Sequence, residues 1–207
     1  MFEKLACKLG RNDETPNIEL AELLCQSEDT AGVKKIVSGL KDKDKAVAND
    51  CIKVLYEIGA RKPALISGYA DDFLALLCSR NNRLVWGGMT ALAAIADLAP
   101  DAIYNKIDMV LSVFRGGSVI AVDNSVTVLA GLCKANKKYE THLFPILLEH
   151  LKTCRTKEVP QHAERAVICV NKGNAQVFLD VLAARKEHMD GSRLARINKL
   201  EKKLLKK

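Results

Sequence analysis

One interval constrains this chain more than any other feature. The apolar triplet Ile36, Val37, Leu40 recurs 37 residues on as Phe73, Leu74, Leu77, then as Val110, Leu111, Phe114, and then as Leu147, Leu148, Leu151. A second set, Cys51, Leu55, Ile58, returns as Gly88, Leu92, Ile95, as Ser125, Leu129, Leu132 and, with a shift of 38, as Ala163, Val167, Val170. A short polar segment separates the two sets in each copy: KDKDK, SRNN, RGGS and TCRTK. Self-similarity at such a period marks an array of small units, none of which can bury its apolar stripe until a neighbour stacks on it.

The units are helical. Ala, Leu, Lys and Glu recur at three- and four-residue spacings, and Val, Ile and Thr lack the period of two that strands need. Each copy reads as a hairpin of helix A, a tight turn and helix B. The expected fold is all-α, a right-handed α-α superhelix (solenoid) of about five helical hairpins in a single domain over 1–207. An N-terminal cap covers 1–29, and the hairpins cover 30–62, 63–100, 101–138, 139–173 and 174–207. In the last hairpin the spacing shortens to 31, placing Phe178, Leu179, Leu182 on helix A and Leu194, Ile197, Leu200 on helix B. Asp190, Gly191 and Ser192 form the stop and cap between them. The cap contains a helix over residues 15–26 with Pro16 in its first turn.

Several function classes are excluded at this stage. The N-terminus MFEKLACKLGRNDE has no apolar leader run, and no segment approaches the roughly 18 uninterrupted apolar residues of a membrane span, so a cytoplasmic protein is expected. Seven dispersed cysteines are an odd number and read as buried free thiols. His150 and Cys154 are four apart on one helix, yet no second pair with ligand spacing accompanies them, so no metal site is expected and no cofactor is implied. The glycines at 87, 88, 116 and 117 precede no Lys-Ser or Lys-Thr, and GxSxG is missing, so the chain reads as no enzyme. Asp71-Asp72 lies near a helix start, where the dipole favours negative charge.

At this point a family resemblance is visible. DKDKAVANDCIKVLYEIGA, residues 42 to 60, resembles the second helix of a HEAT repeat: an Asp-containing turn, a Val, small residues, then Val54, Leu55, Ile58 and Gly59 in the places of the Ala-Leu-x-x-Ile-Gly run. The repeats cover roughly residues 30 to 205. One departure is Ala48, which stands where a basic residue commonly follows the Val, so the family's Asp-Arg ladder between turns is not expected in this first copy. The resemblance implies that the B helices line the concave side of a curved stack but names no function; the repeat, the shallow small-residue positions along the B helices and the missing catalytic motifs make a scaffold for a protein or peptide partner the expected role.

The open positions of the first B helix are Asn49, Asp50, Lys53, Tyr56 and Glu57. The repeat carries them to Trp86, Gly87, Thr90, Ala93 and Ala94, then to Asp123, Asn124, Thr127, Ala130 and Gly131, and finally to Gln161, His162, Arg165, Ile168 and Cys169. Of these, Asn49, Lys53, Tyr56, Trp86, Gly87, Thr90, Asp123, Asn124, Thr127, Gln161 and Arg165 form the candidate partner-binding face. Two adjacent glycines in a helix lower its stability by roughly 1 kcal/mol each relative to alanine, which calls for a reason. Either they leave the backbone open to a partner beside Trp86, an interface anchor by type, or neighbouring B helices pack through them.

Charge is uneven. Residues 1 to 130 carry 15 Lys and Arg against 17 Asp and Glu (net −2), and residues 131 to 207 carry 17 against 8 (net +9), which together make the chain's +7. The turns between A and B helices place Lys41, Lys43, Lys45, Arg80, Arg83, Arg115, Lys152, Arg155 and Lys157 along one basic edge, interrupted by Asp42, Asp44 and Glu158. The C-terminal helix sets Leu194, Ile197, Leu200 and Leu204 against Arg193, Arg196, Lys199, Lys202, Lys203, Lys206 and Lys207, as suits a terminal repeat with a polar outer face. These charges keep a nucleic-acid-binding solenoid open as the alternative, in the extreme case one resembling the HEAT-like DNA alkylation glycosylases, of whose basic, aromatic and acidic cleft only Trp86 and Asp123 have a counterpart here. The partner's identity and the oligomeric state are not encoded in any motif.

Overall fold

The computed structural model describes residues 1–205; Lys206 and Lys207, counted above with the basic C-terminal helix, lie outside the described residues. All regular structure among the described residues is helical. The chain divides into two compact units, Met1–Val128 and the residues from Leu129 on.

The first unit contains α1 (Thr15–Ser27), α2 (Thr30–Ser38), α3 (Lys45–Arg61), α4 (Ala70–Leu76), α5 (Asn82–Ile95), α6 (Pro100–Tyr104), α7 (Ile107–Gly116) and the first part of α8 (Val119–Ala135). Helices α2, α4 and α7 are A helices, and α3, α5 and α8 are B helices. The polar turn segments act as N-caps: Asp44 accepts from the Ala46 N–H at 2.9 Å, and Asn81 from the Arg83 N–H at 3.1 Å. Such caps satisfy amide donors that the first helical turn leaves unpaired. Helix α2 packs on α3 and α4 on α5, A helix on B helix, while α3 packs on α5. Helix α1 packs along α3 and so takes the seat that a preceding B helix would occupy. Pro16 stands in its first turn, where a missing N–H costs no hydrogen bond.

The second unit holds the rest of α8 with α9 (Lys137–Thr153), α10 (Val159–Ala166), α11 (Ala175–Lys186) and α12 (Gly191–Leu204). Here the stacking is A on A, α9 with α11, and B on B, α10 with α12. Helix α10 is shorter than the repeat predicts. It ends at Ala166 and passes through a 3-10 turn, Val167–Cys169, so that Val167 and Val170 are only half-buried. The reason is the following Asn-Lys-Gly-Asn run: the Asn171 N–H bonds the Asn174 side chain at 2.8 Å, closing a turn that competes with helix. Helix α12 starts at Gly191, whose φ of +48° lies in the left-handed region that glycine enters without a Cβ clash.

The repeat positions form the core. Ile36, Leu40, Phe73, Leu77, Val110, Phe114, Leu147 and Leu151 are all buried, and so are Ile197, Leu200 and Leu204 of the last helix. Full burial of side chains of this size contributes about 1.5–3 kcal/mol each relative to exposure. No helix among the described residues is long and apolar enough to cross a membrane.

Candidate binding face

Helix α3 should present Asn49, Asp50, Lys53, Tyr56 and Glu57 to a partner, but the N-terminal segment already engages part of that face. The Cys7 N–H donates to Asp50 Oδ2 at 2.8 Å, and Glu14, at the start of α1, accepts from Lys53 Nζ at 2.9 Å. Lys53 is therefore buried rather than open, with a second bond from Nζ to Glu57 Oε1 at 2.8 Å. Burial alone would lower its affinity for a proton, but the bonds to Glu57 and Glu14 prevail and hold it charged. Burial likewise works against the charged forms of Glu14 and Glu57, and their cationic partners outweigh it and bring both carboxyls below the usual range.

Next to this network stands an aromatic pair. The rings of Tyr56 on α3 and Trp86 on α5 lie 5.6 Å apart at 46°, within the range of favourable tilted contact. Lys53 Nζ sits 4.9 Å from the Tyr56 centroid and the Arg83 guanidinium 5.9 Å from the Trp86 ring, while Arg83 also pairs with Glu14. Tyr56 and Trp86 are both half-buried, as are Ala93 and Ala94 along the same face of α5.

The glycine pair is packed. Gly87 is buried, and a Cβ on it would come within 2.7 Å of Ile52 Cγ1, so the expected open position at 87 is instead where α5 meets α3. A Cβ on Gly88 would meet the Phe73 carbonyl oxygen at 3.0 Å, so this glycine admits helix α4. Ala130 and Gly131, placed on the open face by the sequence, are buried too.

Other expected face residues bond across copies. Asn81 Nδ2 donates to Asn49 Oδ1 at 2.8 Å, and Asn124 Nδ2 donates to Thr90 Oγ1 at 2.7 Å, which in turn donates to the Trp86 carbonyl at 2.8 Å. Asp123 and Thr127 are half-buried on α8. In the second unit, Gln161 and Arg165 are half-buried on α10, Ile168 is exposed, and His162 and Cys169, expected open, are buried.

Of the residues expected on a basic edge, Lys43, Lys45 and Arg80 line a cleft of ≈ 570 Å³ together with Asn49 and Asn81. Lys41 pairs with Asp72 at 3.1 Å and Arg155 with Glu158. Lys152 lies 3.7 Å from Glu149, and Arg115 and Lys157 are exposed. Arg83, expected with them, instead stands over the Trp86 ring.

A cluster that the spacing rules did not assemble lies in the second unit. His150 Nε2 and His162 Nδ1 are 2.9 Å apart, and their ligating atoms and Cys154 Sγ all lie within 4.8 Å of one another. Burial pushes the Cys154 thiol up to about 11. His150 and Cys154 were visible as an i, i+4 pair; His162 comes from the next helix, and only the fold brings it in.

No family model matches the chain, and no curated protein matches it in sequence. In structure it is similar to an engineered protein, with 18% identity and a TM-score of 0.69 over 99% of this chain and 96% of that one. A designed armadillo repeat protein in complex with the peptide (KR)4 is 14% identical with a TM-score of 0.66, over 93% and 91% of the two chains. Kap121p bound to Pho4p is 16% identical with a TM-score of 0.66; the match covers 96% of this chain but only 22% of that one. At such identities the likeness is one of fold, and together with the buried repeat positions it shows this chain to be a HEAT/armadillo-like α-solenoid.

Proposed function

We propose that the protein is a non-enzymatic scaffold of the cytoplasm that binds a protein or peptide along the concave face of its B helices. The observation that carries this reading is the half-exposed Tyr56–Trp86 pair on adjacent B helices, flanked by the small residues Ala93 and Ala94. Large aromatic surface beside shallow backbone lets a partner's side chain or extended segment make close apolar contact. The solenoids it resembles include a designed one in complex with a peptide and a karyopherin bound to another protein, which fits the same use of the fold. Asn49, Asp123 and Thr127 would supply polar contacts near the pair, and Gln161 and Arg165 further along the chain.

The test uses the single tryptophan of the chain. Immobilised protein and a Trp86→Ala variant are exposed to native lysate with and without nuclease. The expected result is one stoichiometric protein that survives nuclease, shifts Trp86 emission to the blue on titration, and binds the variant about 2 kcal/mol or more weakly. Retention by the variant at full strength would overturn the reading.

A second reading, nucleic-acid binding, is favoured by the cleft holding Lys43, Lys45 and Arg80. Titration with short duplex DNA and RNA near physiological salt separates the two. Sub-micromolar affinity with a steep salt dependence would install this reading in place of the first.

A further inference from the structure

The cluster of His150, Cys154 and His162 is the strongest feature that the proposed function leaves unused. His150 sits in the last turn of α9, Cys154 caps that helix, and His162 lies on α10, so the loop between the helices folds three nitrogen and sulfur donors onto one point. The two ring nitrogens, 2.9 Å apart, are within hydrogen-bond distance, and either imidazole can donate to the other according to its tautomer. His162 is 1% exposed, whereas His150 and Cys154 are half-buried, which leaves a side open to solvent. The loop is held from behind, because the Arg185 guanidinium donates to the Lys152 carbonyl at 2.6 Å and to the Cys154 carbonyl at 2.7 Å.

We propose that His150 Nε2, Cys154 Sγ and His162 Nδ1 bind one zinc-type divalent ion, with a fourth position left for water. The donor set selects the metal: imidazole and thiolate suit zinc, whereas magnesium and calcium need oxygen ligands. The geometry requires only small movements. Zinc–nitrogen bonds of about 2.0–2.1 Å in a tetrahedral site set the two nitrogens about 3.3 Å apart, a few tenths beyond their present separation, and a zinc–sulfur bond of about 2.3 Å draws Sγ inward. The proton balance is simple. Whichever histidine donates to the other moves that proton to its other ring nitrogen, both facing nitrogens become ligands, and Cys154 loses its proton to solvent. Binding therefore releases one proton per ion while the thiol is otherwise protonated.

The experiment titrates Co²⁺, as the spectroscopic stand-in for zinc, into chelator-treated full-length protein kept reduced. The expected result is a one-to-one end point with the visible bands of tetrahedral cobalt, a near-ultraviolet thiolate-to-cobalt band, and release of one proton measured in weak buffer. Cys154→Ser should abolish the thiolate band, and His150→Gln should weaken binding by at least about tenfold. His162 is in the core, so His162→Gln is read only where its circular dichroism matches that of the unaltered protein; the two half-buried positions carry the test without it. Zn²⁺ should displace the cobalt and raise the melting temperature in proportion to the logarithm of its concentration. Absence of the tetrahedral spectrum, or its persistence in both Cys154→Ser and His150→Gln, would overturn the assignment. The second outcome would place the ion elsewhere on the chain.

Discussion

Gly87→Leu sets two opposing effects against each other. On an open helix face the change would add stability, because leucine exceeds glycine in helix propensity by about 0.8 kcal/mol. At this position the first added atom already falls 2.7 Å from Ile52 Cγ1 and 3.2 Å from Cγ2. Ile52 is fully buried and β-branched, so its χ1 has one strongly preferred well in a helix and cannot swing aside. Overpacking of a core site costs about 1–3 kcal/mol, and three further carbons put this case at the upper end. The net expectation is a loss of about 2 kcal/mol. For a chain of this size that lowers the melting temperature by roughly 4–8 °C. Urea denaturation followed by circular dichroism measures it. Ile52→Ala alone should cost about 2–5 kcal/mol, but combined with Gly87→Leu it should cost at least about 1 kcal/mol less than the sum, because the leucine fills the space the isoleucine leaves. A Gly87→Leu protein as stable as the parent, or strict additivity in the pair, would refute this account of the glycine.

Two further expectations concern titratable groups. Glu140 is buried; its bond to Lys137 at 2.7 Å, then those from Asn171 and Asn174, hold its carboxyl below the usual range. A depressed folded value means that the stabilisation is complete above the unfolded carboxyl value of about 4.3 and is lost as the pH falls below it. Urea midpoints should therefore decline between about pH 5 and 3, and less steeply in Glu140→Gln; equal slopes would contradict it. Among the cysteines Cys78 alone is exposed, whereas burial raises the Cys7 thiol to about 11 and the Cys51 thiol to about 12. Mild alkylation of native protein near pH 8 should label Cys78 first, as peptide mapping would show, and early labelling of Cys51 would mean that α3 opens far more readily than its burial implies.

What the sequence made legible was whatever repeats. The apolar columns at 36, 40, 51, 55 and 58 fell inside in the first copies because each is read several times over. The capping roles of Asp44 and Asn81, which the periodicity did not single out, rest on local chemistry alone. In the column 50, 87, 124, 162, expected open, positions 50, 87 and 162 are buried and 124 is half-buried. Asp, Gly, Asn and His read as solvent-facing by hydropathy, yet Asp50 takes the Cys7 amide, Gly87 receives Ile52, Asn124 bonds Thr90, and His162 meets His150. The partners lie 12 to 43 residues away in sequence and differ in kind, a backbone amide, an isoleucine, a hydroxyl and an imidazole, so the apolar pattern marked none of them. The N-terminal residues that cover Asp50 and Lys53 have no repeat of their own, so nothing in the pattern marked them as a lid over the first B helix.

The same column explains how the aromatic pair comes to exist. Because position 87 has no side chain, α5 approaches α3 until Ile52 fills the gap, and that approach brings the Trp86 ring to 5.6 Å from Tyr56. A larger residue at 87 would hold the helices apart and leave the tryptophan without its neighbour, even though neither ring had been changed. Gly87→Ala is the milder form of this perturbation, since one methyl group shifts the helices without filling the site. In buffer without denaturant, where the variant is still folded by circular dichroism, its tryptophan emission should move to the red of the parent's as the indole loses apolar cover and gains water. Binding of the captured partner should weaken together with that shift. An unchanged emission spectrum alongside a normal fold would mean that the aromatic pair forms independently of the glycine, and that the two features share α5 without sharing a cause.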